Sequence, residues 1–131
     1  MPEALQLWEV LVPTTRRVHE SNLTPLVASK YAASSAKDAR GCYPAPCSTR
    51  IHRVWDAKVR AITGGLTVLK PAKGYWVDPV SKTLFHDRTI PVRIACTRAQ
   101  VNAIIKLTIA HYNQLAVMAY KLSDEVLIVN A

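Results

Sequence analysis

Glycine is scarce in this chain, four residues in 131, and phenylalanine occurs once. That scarcity excludes a collagen-like repeat and leaves no Gly-rich loop to cradle a phosphate. No stretch approaches the roughly 18–20 consecutive apolar residues of a membrane helix, and MPEALQLWEV lacks the basic-then-apolar layout of a secretory signal. A cytoplasmic location is therefore expected (the host cytoplasm, or a virion, if the gene is viral), with no membrane partner. The cysteines, Cys42, Cys47 and Cys96, form an odd set with no disulfide framework, which fits a reduced intracellular chain. Cys42 and Cys47 make a C-x4-C near His19 and His52, but the spacing is loose for zinc and no second C-x2-C exists. Loop thiols and no metal are the expectation. Nor is there a G-x-S-x-G, an H-E-x-x-H or a paired C-x-x-C, so no cofactor is expected and no motif nominates a nucleophile.

Acidic residues are few as well, 9 Asp+Glu against 17 Lys+Arg, for a net charge of +8. Half of the residues are hydrophobic and a fifth are charged, the profile of one globular domain over residues 1–131 rather than of a disordered chain. The excess is concentrated. Residues 16–60 hold nine basic residues against Glu20, Asp38 and Asp56, six of the eight net charges. Such a tract suits a phosphate-rich partner, nucleic acid included. It suits a solvated surface equally, and no aromatics interleave with the basic residues as they do in single-strand binders.

Patterning divides the chain into a strand, an irregular stretch and a regular run. Leu5 to Val12 alternates weakly and stops at Pro13, which predicts a strand. Residues 14–50 show little periodicity, Pro44 and Pro46 forbid a helix there, and the segment reads as an irregular basic insertion. Ile51, Trp55, Val59 and Ile62 share one helical face, ended by Gly64-Gly65. Strands are predicted at Leu66–Leu69, Tyr75–Val77, Thr83–Phe85 and Ile90–Cys96. Thr97 and Gln100 form a capping box that opens a helix through Tyr112. Leu115–Leu122 and Glu125–Val129 complete the strands. Two helices crossing one face of a mostly antiparallel sheet make an α+β, ferredoxin-like sandwich. Its second face, with Trp8, Trp76, Tyr75 and Tyr120 as candidates, calls for cover by other copies.

Three places can carry chemistry. His52-Arg53 opens the first predicted helix, where an anion would meet the helix dipole. Lys70, Lys73 and Trp76 surround a turn able to clamp an anionic ring-bearing ligand, with Arg93 on the next strand. Phe85-His86-Asp87-Arg88 faces His111-Tyr112-Asn113-Gln114 if the two segments meet, with Asp87 and His111 as a possible acid–base pair. A solvent-facing helix start, an ordinary hairpin and a polar rim are the plain alternatives for the three.

The stretches His52-Arg53-Val54-Trp55-Asp56, GGLTVLKPAKGYW, IPVRIACT and HYNQLAVMAYKLSDEV resemble phage and bacterial proteins of PII-like, ferredoxin-like build. Gly65, Leu66, Thr67, Gly74, Trp76, Gln114, Ala116 and Val117 carry the likeness, which covers about residues 5–12 and 50–129 and leaves the insertion unmatched. It implies a phage-associated homo-oligomer, a trimer above other stoichiometries, holding an anionic or nucleotide-like small molecule between subunits. His52, Arg53, Lys70, Lys73, Trp76, Arg93 and His111 are then the ligand-binding candidates. More remotely, VRIAC followed by a helix and Tyr112, Gln114, Val117, Tyr120 and Lys121 is similar to phage enzymes that degrade S-adenosylmethionine. That similarity implies a lyase releasing methylthioadenosine, with Asp87, Tyr112 and Gln114 as catalytic candidates. The chain departs from the pattern by offering Asp87 where a glutamate would stand. A basic nucleic-acid- or virion-associated protein, acting through residues 16–60, is the third expectation.

Overall fold

The computed structural model describes residues 4–33 and 35–131, with the side chain of Asp87 outside that description. The elements run β1 (Gln6–Pro13), β2 (Thr15–His19), α1 (Pro25–Ala32), β3 (Cys42–Pro46), α2 (Thr49–Thr63), β4 (Thr67–Val68), β5 (Ala72–Val77), β6 (Leu84–Cys96), α3 (Arg98–Tyr112) and β7 (Ala119–Ser123). β6 organises the main sheet. Its second half pairs antiparallel with β1, from Pro13↔Thr89 to Gln6↔Cys96. Its other edge carries β5, from Val77↔Leu84 to Ala72↔Thr89, and then β4 at Thr67↔Arg93. β7 lies antiparallel on the far side of β1, so the order is β7–β1–β6 and then β4 with β5.

Side chains alternate across a strand, and the helices take one set. Trp8, Val10 and Val12 of β1 and Val92, Ile94 and Cys96 of β6 pack against Trp55 and Val59 of α2 and Val101, Ile104 and Tyr112 of α3. The chain is thus an α+β protein with a mostly antiparallel sheet. The helix termini follow the sequence closely. Thr97 and Gln100 close a capping box, Gln100 Nε2 also donates to the Ile62 carbonyl at 3.0 Å, and α2 stops at Gly64 with φ 85°. Among the described residues no helix is long and apolar enough to cross a membrane.

Four expectations need correction. Residues 14–50 are not irregular: β2 and β3 pair antiparallel from Thr15↔Pro46 to His19↔Cys42, and α1 starts at a Thr24 cap with Pro25 behind it. The prolines fit because a two-stranded sheet is all edge, where a missing donor costs little. The strands predicted at Thr83–Phe85 and Ile90–Cys96 are one continuous β6. Trp8 turns toward the helices and is 7% exposed, not on the second face. Finally, β7 is short, residues 115–118 precede it without regular structure, and Glu125–Val129 forms no strand. Leu127, Ile128 and Val129 are 80%, 68% and 90% exposed, since strand preference needs a neighbouring edge and none lies beside them.

Candidate functional site

The sheet face away from the helices carries the other half of the alternation. Glu9, the one charged residue in an otherwise apolar stretch of β1, stands there between Leu7 and Leu11. The register puts Arg93 of β6 directly opposite it on one side and Tyr120 of β7 on the other. Directly opposite residues are near enough to bond. Arg93 Nε donates to Glu9 Oε1 at 3.1 Å, and the Tyr120 hydroxyl donates to Glu9 Oε2. Glu9 is 6% exposed, so its charge is kept out of water and is balanced by these two donors.

Above this row opens a cavity of about 600 Å3. Leu11, Pro13 and Pro91 give an apolar floor, and β5 forms one wall with Lys73, Tyr75 and Trp76. The segment from Gln114 to Met118 forms the opposite wall. It is placed by Asn113, which ends α3 at φ 51°, and by Leu11 N donating to the Met118 carbonyl at 3.0 Å. Across the β5–β6 ladder Trp76 stacks on Phe85 at 4.6 Å and Tyr75 meets His86 edge-on at 4.9 Å, pairs at consecutive positions. Arg17 and Arg88 reach the rim. Lys73 and Arg88 are opposite each other in the β5–β6 ladder, and among the described residues neither enters an ion pair. Glu9 already has Arg93, so the lining holds a cationic surplus.

The sequence-predicted site residues separate into three groups. Lys73, Trp76 and Gln114 line the cavity and Arg93 braces Glu9 beneath it. Gln114 Nε2 is turned to carbonyls, donating to Thr15 at 3.3 Å and Tyr112 at 3.0 Å. His52, His111 and Tyr112 meet elsewhere, where α2 begins and α3 ends. The Tyr112 hydroxyl, fully buried, is 2.7 Å from His52 Nδ1, and His111 Nε2 donates to the Ile51 carbonyl at 2.8 Å. Burial pushes the Tyr112 phenol up, so it stays protonated, and it shares one hydrogen bond with His52 Nδ1. These bonds fasten one helix to the other. Arg53 and Lys70 are solvent-exposed and line neither wall. The side chain of Asp87, and with it the Asp87–His111 pair, lies outside the described residues; the Asp87 backbone pairs with Gly74.

Sequence reasoning missed Glu9 and Arg17 as site residues and named Arg88 only within the segment Phe85-His86-Asp87-Arg88. The available signal was Glu9 itself, a carboxylate in the middle of an apolar strand. Cys96 is in the core, where burial pushes it up to about 11, and burial also raises Cys47 against a weaker pull from Arg16. Among the described residues no cluster of three His, Cys, Asp or Glu side chains is placed to hold a metal.

Part of the basic tract, Arg16, Arg17, Lys37 and Arg40, is tied into the fold. Asp38 is buried, which pushes its carboxyl up, but donors from Cys42 N, the Arg40 side chain and Arg40 N together hold it below its ordinary value. Arg17 Nη1 reaches Asp38 at 3.5 Å, Lys37 pairs with Glu20 at 2.9 Å, and Arg16 Nε donates to the His111 carbonyl at 2.9 Å. Arg40 spans Asp38 and Asn113, so the insertion is clamped to the end of α3.

No protein-family model matches the chain, and no curated protein matches it either.

His52 gives the domain a defined acid response. Burial lowers its pKa from the ordinary 6.5, Asp56 opposes this and His111 adds to it. The folded chain then binds this proton less readily than the unfolded one. Stability from this group is complete above 6.5 and is lost as the pH falls from there toward the folded-state value. The urea midpoint is expected to drop between pH 7.5 and 5.5, and His52→Asn to flatten that drop; an unchanged slope in the variant would assign it to other groups.

Proposed function

We propose that this chain is a small-molecule-binding domain of ferredoxin-like, PII-like plan, taking an anionic, ring-bearing ligand of nucleotide type on its open sheet face. The plan is supported by the strand order β7–β1–β6–β4/β5 with two helices on one face. One observation carries the ligand class. The cavity of about 600 Å3 is lined by Tyr75 and Trp76 of β5 together with Lys73 and Arg88, cations that enter no ion pair among the described residues. Ligand sites are mostly apolar with a few placed polar groups, as here. The exposed flank of Tyr75, Val77, Leu115, Met118 and Leu122 is the surface that further copies cover, which puts the ligand between subunits of a homo-oligomer, a trimer. A phage association belongs to the same proposal through the resemblance.

Glu9 favours a second reading, S-adenosylmethionine cleavage. Glu9 is the carboxylate in the described lining and suits a sulfonium, while Lys73 and Arg88 suit the ligand carboxylate. That carboxylate would displace the sulfur at the chain carbon three bonds away, closing a lactone as the C–S electrons leave on methylthioadenosine. Glu9 would bind and orient the sulfonium rather than speed its departure, since the positive charge fades in the transition state.

One experiment addresses both readings. Thermal denaturation is followed against nucleotides, carboxylate metabolites and S-adenosylmethionine, with chromatography of the last sample for methylthioadenosine. Nucleotide at about a hundredfold its dissociation constant stabilises by about 2.7 kcal/mol, a shift of several degrees. A flat panel overturns the binding proposal, and absence of methylthioadenosine removes the lyase. Light scattering is expected to give about three times the 14.5 kDa chain mass, and a monomer would overturn the intersubunit site.

A further inference from the structure

We infer that a second, smaller cleft is an oxyanion subsite that receives the phosphate of the ligand whose ring occupies the larger cavity. The inference rests on the reading of that cavity given above. β6 runs past the end of β1: their last pair is Pro13↔Thr89, and Leu84–Arg88 continues with β5 alone on its other edge. The insertion closes the side that β1 leaves open. The cleft formed there measures about 310 Å3 and is bounded by Thr14, Thr15, Arg17, Ala36, His86 and Arg88 among others. Arg17, Arg88 and Thr15 line this cleft and the larger cavity alike, so the two spaces adjoin along these residues.

Both guanidinium groups are prepared for an anion. Arg17 is 5% exposed and lies over the Phe85 ring at 5.5 Å, which fixes its plane. Its carboxylate, Asp38, is shared with Arg40, so one negative charge faces two guanidinium groups. Arg88 is held by its backbone, with its carbonyl accepting from Thr14 N at 3.3 Å and from Thr14 Oγ1 at 2.8 Å, while its side chain enters no ion pair among the described residues. No carboxylate among the described residues lines the smaller cleft. Two arginines, a histidine ring and threonine hydroxyls around a small polar space suit a tetrahedral oxyanion, which arginine meets with paired N–H donors. The insertion thereby acquires a purpose: its folded sheet delivers Arg17 to the ligand.

Inorganic phosphate, titrated against sodium chloride of equal ionic strength and followed by melting temperature, tests this directly. The wild type is expected to show a saturable rise with phosphate and none with chloride. Arg88→Ala, which removes an exposed cation, and Ala36→Phe, which fills the cleft without changing charge, should each weaken phosphate by about tenfold or more. Lys58→Ala, a charge-matched change on the exposed side of α2, should leave it unaltered. No saturable phosphate effect, or full binding by Ala36→Phe, overturns the subsite. Adenosine, which has no phosphate, separates this from the larger cavity. Adenosine binding without phosphate binding rejects the subsite alone, and phosphate binding without adenosine binding rejects the ring site alone.

Discussion

Glu9→Gln is expected to divide the ligands by charge. It should weaken S-adenosylmethionine by about 10–100-fold, while a purely anionic nucleotide binds at least as tightly as before. The substitution keeps an acceptor for the Tyr120 hydroxyl and nearly the same shape, so the fold is little disturbed. What goes is the charge. Glu9 Oε1 no longer neutralises Arg93, and the cavity floor changes from a balanced pair to a cation. A sulfonium loses its counter-charge, worth about 1.5–3 kcal/mol when desolvated, which is the stated loss of affinity. A phosphate or carboxylate no longer faces a negative charge in the lining. The cost to stability stays within about 1 kcal/mol, because the Arg93 side chain is 47% exposed and water takes over its solvation. Isothermal titration of both ligands against wild type and variant gives the result. Equal loss for the two classes would mean that Glu9 only shapes the floor, and no change for either would place the ligand elsewhere.

How legible this was in the sequence depends on the range of each interaction. The capping box at Thr97, the stop at Gly64 and the Ile51-Trp55-Val59 stripe are local, and each stands where the residues put it. The site is the opposite case. Glu9 meets partners 84 and 111 residues away, and a period of two cannot show which strands flank β1. The weak alternation of LQLWEVLV also hid the facing of Trp8, since a one-residue phase error exchanges the two faces. In the insertion, five-residue strands with two prolines resemble loop, and only their pairing shows otherwise. The charge of +8 was visible, but not that Arg16, Arg17, Lys37 and Arg40 of its concentrated part are tied to Asp38, Glu20 and oxygens at the end of α3.

The site stands on a core whose most sensitive point is Trp55. Trp55→Ala should cost about 3–5 kcal/mol, a large part of the roughly 5–15 kcal/mol that holds a domain together. The indole is 1% exposed and packs in one cluster with residues of α3 and of the central strands β1 and β6. It also has a polar tie, Nε1 donating to Thr108 Oγ1 at 3.0 Å, while that hydroxyl donates to the Ile104 carbonyl at 2.6 Å. Thr108→Val separates the two contributions. It keeps the volume and leaves the indole N–H buried without an acceptor, at about 1–3 kcal/mol. Urea denaturation of the three proteins should therefore rank wild type above Thr108→Val and Thr108→Val above Trp55→Ala. A neutral Thr108→Val would show that the indole donor has another partner, and a neutral Trp55→Ala would contradict the packing of α2 on the sheet. Because the β1 and β6 residues that touch Trp55 on one face alternate with Glu9 and Arg93 on the other, a cavity at Trp55 is expected to loosen the ligand site as well as the fold.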